Sequence, residues 1–338
     1  MLGRCLMPAF PAEAALSRFQ YETDRIDPEM QVILDRMLTR MAGRPPMGTD
    51  SPVTMRERFA EDARLWNADP PALPRVEDLT VRTSDRDVPV RLYDPRGDGK
   101  PLPAMIYYHG GGWIVGDLDS NDRALRLLAI ESSCGIVSVD YCLAPEHSFP
   151  APLDECVQVA QAVRQHGSAW GLDVELLALG GDSAGANLAL ATAIDLRELG
   201  DASIRFLLLM YGAYARDYGT ESHRLFGDGR LGFGSQAMEA MWSLYLGKDA
   251  PVDIARATPL YADLRELPSA CLISAGLDPL RDDSRNLAAR LIAVGANVEY
   301  LEFQGVVHGF MSMTRDLTPA RRAIARAGTA LDRALARR

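Results

Sequence analysis

The chain has 338 residues, 47% hydrophobic and 24% charged, a globular balance that excludes a disordered tail, a fibrous repeat and a disulfide scaffold. Its 36 basic and 46 acidic residues give a formal charge of −10, which argues against nucleic acid as a partner. Five cysteines at positions 5, 134, 142, 156 and 271 include no CxxC pair, so neither a zinc knuckle nor a disulfide framework is expected, and a reducing cytoplasm suits them.

The opening MLGRCLMPAFPAEAAL is interrupted by Pro8, Pro11 and Glu13 before a signal-peptide core develops. No apolar run reaches the roughly 18 residues of a membrane span. Residues 1–76 carry no strand signal. Apolar residues at helical spacing (Ile26, Met30, Ile33, Leu34, Met37, Leu38, Met41) predict a helix over Ser17 to Met41, and Thr54 to Trp66 reads as a second amphipathic helix. Between them GRPPMGTDSP is a loop by its proline and glycine content.

From residue 77 short β-branched and aliphatic runs alternate with helical stretches. The predicted strands are 77–83, 88–93, 103–108, 135–140, 176–180, 205–211, 270–275 and 298–303. The predicted helices lie near 120–133, 152–167, 184–199, 282–294 and 318–336. This alternation predicts one α/β domain with an eight-stranded, mostly parallel sheet flanked by helices, rather than two domains. After Tyr211 roughly 45 residues pass without a strand, far more than the two to six usual in such connections. Met238, Met241, Trp242 and Tyr245 mark a helix inside that stretch, with Ser235 as its expected N-cap. The insertion and the strandless N-terminal segment are natural candidates for a lid.

Gly181-Asp182-Ser183-Ala184-Gly185 falls between the strand LLALG and the helical run ANLALATAIDL, the strand–turn–helix setting that makes GxSxG a nucleophile motif. Small residues at 181 and 185 permit the tight turn, and the helix N-terminus behind Ser183 favours developing negative charge. His109-Gly110-Gly111-Gly112-Trp113 follows the strand PAMIYY. Its glycines expose backbone N–H groups suited to a tetrahedral oxyanion, and the N–H of Ala184 is the expected third donor. A serine nucleophile requires a base and an orienting carboxylate. Of five histidines, His166 ends a helix, His223 lies in the polar insertion and His109 shapes the glycine loop, while His308 follows the last strand and is the expected base. Asp278, directly after the strand ACLISA, is the favoured acid, with Asp282 next; Asp282 and Asp283 read as helix-start residues. The order Ser183, Asp278, His308 follows the α/β-hydrolase pattern.

Taken together HGGGW, Asp140 to His147 (DYCLAPEH), GDSAG, DPLRDD and HGF resemble the hormone-sensitive-lipase-like branch of bacterial carboxylesterases, from about residue 77 to the end. The resemblance implies an α/β-hydrolase sheet over 77–338, and a cap made of segment 1–76 and the insertion 213–257. It also implies hydrolysis of short-chain acyl esters without a cofactor or metal, a homodimer formed near 298–303, and oxyanion donors at Gly110, Gly111 and Ala184. Departures are Cys142 where the family usually has Arg, Ala186 where a second Gly is frequent, and Gly212 in place of Pro; the first is expected to remove an ion pair behind the site. Trp113, Tyr211, Tyr214, Phe233 and Trp242 are candidates to line an apolar substrate pocket, and each is equally compatible with ordinary core.

Rival readings are an amidase, lactonase or deacetylase for one metabolite, and a ligand receptor like the plant gibberellin receptors, which resemble this branch but lack the histidine that His308 supplies here. Gly227, Gly229 and Gly232 spell GxGxxG, but no strand precedes them and a nucleotide site is not expected. The arginines of the C-terminal helix (321, 322, 326, 333, 337, 338) are read as cations on a helix packed against the sheet, not as a membrane surface.

Overall fold

The strand runs that carry least polarity occupy the centre of the sheet. The computed structural model describes residues 25–43, 50–247 and 255–337. Eight strands form one sheet in the order β1-β2-β4-β3-β5-β6-β7-β8: β1 Arg75–Arg82, β2 Asp87–Asp94, β3 Leu102–Tyr108, β4 Gly135–Val139, β5 Leu172–Asp182, β6 Ile204–Met210, β7 Ser269–Leu277 and β8 Val298–Val307. β2 runs antiparallel to both β1 and β4, and the remaining pairs are parallel. The central strands are buried on both faces, which is why they read as continuous apolar runs without alternation.

Helices cover both faces. On one lie α3 (Asp122–Ser132), α9 (Thr318–Leu335) and the N-terminal α1 (Pro28–Met41), whose Met30, Ile33 and Leu34 join the core there. The other face is packed by α4 (Ala151–His166), α5 (Ala184–Glu198) and α8 (Arg281–Ala293). Helix α5 is buried from Ala184 to Leu196, so its sequence is apolar all round and not striped. Three further helices are α2 (Pro52–Trp66), α6 (Glu221–Phe226) and α7 (Ser235–Leu246). In α9, Ala320, Ala323, Ile324, Ala327, Ala330 and Leu331 make the buried stripe, while Arg326 and Arg333 bond Glu299; just past the helix, Arg337 bonds Asp173. Among the described residues no helix is long and apolar enough to cross a membrane.

Differences from the sequence reading have local causes. Helix α1 begins at Pro28, not Ser17, because Asp27 caps it by accepting from the N–H groups of Glu29 and Met30; residues 17–24 lie outside the described set. Most of the loop 43–52 and the stretch 248–254 of the insertion also lie outside it. Strand β5 starts four residues early, carried by a register shift against β3. The N-cap of α7 is Gly234; Ser235 is the first helical residue and its hydroxyl bonds His223 Nδ1 at 2.7 Å. Helix α6, capped by Thr220, has too few residues to show a period and was not anticipated.

Candidate active site

The three chemistry-bearing side chains sit at the carboxyl ends of three parallel strands. Ser183 follows β5, Asp278 follows β7 and His308 follows β8. Between β5 and α5 the chain turns at Ser183 with φ 53° and ψ −120°, a conformation that only surrounding structure can maintain for a residue with a Cβ. Gly181 and Gly185 permit it: a Cβ on Gly185 would run into the Tyr108 carbonyl of β3, and one on Gly181 into the backbone of Gly185. The Ser183 N–H donates to Met210 O at 2.8 Å, fixing the turn to β6.

His308 joins the other two. Its Nδ1 lies 2.7 Å from Asp278 Oδ2 and its Nε2 2.9 Å from Ser183 Oγ. Asp278 is wholly buried, and its second oxygen accepts from Leu280 N at 2.8 Å. A carboxylate so held fixes the imidazole with Nδ1 protonated and Nε2 free to accept from a hydroxyl, the arrangement required for general-base activation of a serine. Asp282 is committed elsewhere: it accepts from Ser222 N at 2.8 Å and pairs with Arg281 and Arg285.

The glycine loop after β3 lies against this chain of bonds, with one correction to the sequence reading. The Gly110 N–H, expected as an oxyanion donor, donates instead to Asp182 Oδ1 at 2.7 Å. Asp182 is the neighbour of Ser183, and the same oxygen accepts from the Tyr107 hydroxyl and, at 3.2 Å, from Asn121 Nδ2. Burial pushes the Asp182 carboxyl above its ordinary range, against the lowering effect of these donors. The N–H groups of Gly111, Gly112 and Ala184 have no hydrogen-bond acceptor among the described residues. His109 shapes the loop: its Nδ1 donates to Gly110 O at 2.7 Å and its ring stacks on Tyr141, whose hydroxyl donates to His109 O.

Of the five pocket candidates, two reach the imidazole. The Phe233 ring stacks on His308 with centroids 4.5 Å apart and planes 19° apart, and Tyr211 meets it edge-on at 5.2 Å. Trp113 and Trp242 are wholly buried in a cluster with Tyr245, and Tyr214 is buried over Gly212.

Four residues make supporting contacts that the sequence does not signal. Besides Asp182, Asp283 lies in the first turn of α8 as expected, and its side chain also accepts from Tyr214 N at 2.7 Å and Ala215 N at 3.0 Å, at the root of the insertion. Arg56 of α2 donates to Ile114 O at 2.8 Å and Ala144 O at 3.0 Å and pairs with Glu146, tying the N-terminal segment to the glycine loop; the Arg56 guanidinium holds the Glu146 carboxyl down at about 2. Arg86 pairs with Glu155, which also accepts from Cys142 N, so Glu155 has an arginine partner although position 142 carries none. A lone arginine on a hairpin gives no local signal of that role.

Known proteins resemble the chain along most of its length. A family profile described as an α/β hydrolase fold matches residues 105–312. Acetyl esterases of Salmonella dublin and Salmonella typhi are 35% identical over 305 residues, covering 88% of this chain and 91% of theirs. Among solved structures, an ester hydrolase from the metagenome of Lake Arreo, complexed with a bipyridine phosphonate derivative, superposes with a TM-score of 0.87 at 33% identity, over 91% of this chain and 98% of that one. The hyperthermophilic esterase of Pyrobaculum calidifontis gives 0.86 at 32%, over 92% and 99%. With the sheet order and strand–turn–helix geometry described above, these likenesses show that the chain belongs to the hormone-sensitive-lipase-like branch of the α/β-hydrolase fold family and is a carboxylic ester hydrolase.

Proposed function

We propose that the protein is a serine esterase for short-chain acyl esters, working through an acyl-enzyme on Ser183. The observation that carries this is the continuous chain of hydrogen bonds Asp278–His308–Ser183, with a strained serine at its reactive end. Ser183 Oγ attacks the ester carbonyl as its proton passes to His308 Nε2, and Asp278 orients the imidazole and stabilises the imidazolium. The tetrahedral oxyanion is held by N–H groups of Gly111, Gly112 and Ala184, a set shifted by one residue from Gly110 because Asp182 occupies that donor. Collapse expels the alcohol with the proton from His308. Water then repeats the sequence on the acyl carbon and restores Ser183. The short-acyl preference rests on the acetyl esterases among the relatives. Segment 1–76 and insertion 213–257 act as the cap that selects substrate, supported by the contacts of Arg56 with the glycine loop and of Phe233 with His308.

The test uses nitrophenyl esters from acetate to decanoate. Ser183→Ala is expected to lower kcat by about 10⁴-fold or more and to abolish labelling by a fluorophosphonate. Wild-type rates are expected to fall sharply beyond four to six carbons. Retained turnover in the alanine variant would overturn the nucleophile, and rates rising with chain length would overturn the short-acyl reading.

A further inference from the structure

The glycine motif of the insertion has a structural job that the sequence did not disclose. Gly227 closes α6, its carbonyl accepts from Ser235 N at 2.9 Å, and Asp228 and Gly234 form an isolated antiparallel bridge. A Cβ on Gly227 would strike the Ser235 hydroxyl, and one on Gly234 would lie 2.8 Å from Gly227 O. Gly229 and Gly232 take φ of 83° and 89°, values that L side chains rarely adopt. His223 Nδ1 bonds Ser235 Oγ across the two ends of the turn, and Met37 of α1 backs Gly232. This closed turn delivers one large apolar side chain, Phe233, onto the face of His308.

We propose that the turn 227–234 is a positioning device: it seats Phe233 on the His308 imidazole, so that the insertion holds the base in its working orientation and stabilises the cation formed when the base takes a proton. Both ring nitrogens of His308 are bonded, by Asp278 and Ser183, yet these bonds restrain rotation of the ring about the line joining the two nitrogens only weakly. A stacked ring 4.5 Å away on one face, with Tyr211 edge-on, does. Water is kept from the stacked face, and the aromatic quadrupole attracts an imidazolium more than a neutral imidazole. The contact therefore strengthens as Ser183 gives up its proton, which is the condition for raising kcat rather than tightening substrate binding. Phe233 acts through His308 and need not touch substrate.

This inference rests on His308 being the base, and the experiment separates the two. Steady-state hydrolysis of nitrophenyl acetate is measured from pH 5 to 9 for wild type, F233L, F233Y and H308N, with a melting temperature for each. F233L removes the ring and is expected to lower kcat about tenfold with KM within about twofold. The acid limb of its kcat/KM profile moves to lower pH, because the imidazolium loses its partner. F233Y keeps the ring and recovers most of what F233L loses. A change in KM alone, an unmoved acid limb, or equal losses in F233L and F233Y would overturn the proposal. Turnover retained by H308N would overturn the assignment of the base itself, whereas an inactive H308N beside a wild-type F233L would overturn the stacking role only. Should F233L fail to fold, F233M carries the same comparison.

Discussion

At the scale of single residues, Asp182 is the least conspicuous part of the site and one of the most constrained. It occupies the variable position of GxSxG, yet one of its oxygens satisfies the Tyr107 hydroxyl, the Gly110 N–H and Asn121, and so fixes the glycine loop to the Ser183 turn. Replacing it with Ala leaves the buried Tyr107 hydroxyl and Gly110 N–H without this acceptor, at about 1–3 kcal/mol for each such group, and frees the loop that is proposed to carry two oxyanion donors, while Asn121 keeps the Tyr107 oxygen as a partner. We expect D182A to lower kcat for nitrophenyl acetate by about 10²–10³-fold, the scale of losing an oxyanion donor, with KM little changed. D182N keeps an oxygen facing the three donors and is expected to stay within about tenfold of wild type. Equal defects in both variants would mean that the charge, not the hydrogen-bond geometry, is what the loop needs.

At the scale of elements, the strand–turn–helix unit is held by backbone contact more than by side chains. A Cβ at position 185 meets a carbonyl of β3, and β3 is paired on both sides and cannot yield. G185A is therefore expected to destabilise the fold by about 1–3 kcal/mol, read from its urea midpoint, and to reduce activity as the Ser183 turn is pushed aside. A stable, fully active G185A would show that the turn is less tightly set than its geometry implies. This unit was legible in the sequence because its requirements are local: small residues at 181 and 185, an apolar run before and a helix after. The meeting of Ser183, Asp278 and His308 was legible through strand order, since each follows a predicted strand and strand ends share one edge of a parallel sheet. What escaped was long-range. Which N–H Asp182 would take, which way Asp283 would turn, and which arginine would reach Glu155 depend on packing between segments tens of residues apart. The glycines of 227–234 follow a helix and not a strand, and their use in delivering Phe233 depends on a fold that no spacing rule encodes.

At the scale of the whole molecule, buried and exposed carboxyls pull stability in opposite directions with pH. Glu146 and Glu29 are held below their ordinary range by hydrogen bonds and arginines, against some desolvation, so their contribution is lost as pH falls through that range; both are exposed, and the effect is small. Asp283 is the reverse case. Burial, reinforced by Asp278 and Asp282, pushes its carboxyl up to about 7, although the N–H groups of Tyr214 and Ala215 work against the shift. Between about pH 4, where an unfolded aspartate ionises, and about 7 the folded chain keeps a proton that the unfolded chain has released. More protons on the native state give a negative slope of stability against pH, so stability declines across that window and levels off above it. Asp283→Asn keeps an oxygen for the two backbone amides and removes the titration. The stability of D283N relative to wild type, from urea unfolding, is therefore expected to improve from pH 4.5 to pH 8 by on the order of a few kcal/mol. A difference that stays constant with pH would place the Asp283 proton outside the folding equilibrium, and one that worsens toward pH 8 would mean that the root of the insertion is held by a carboxylate that the fold prefers ionised.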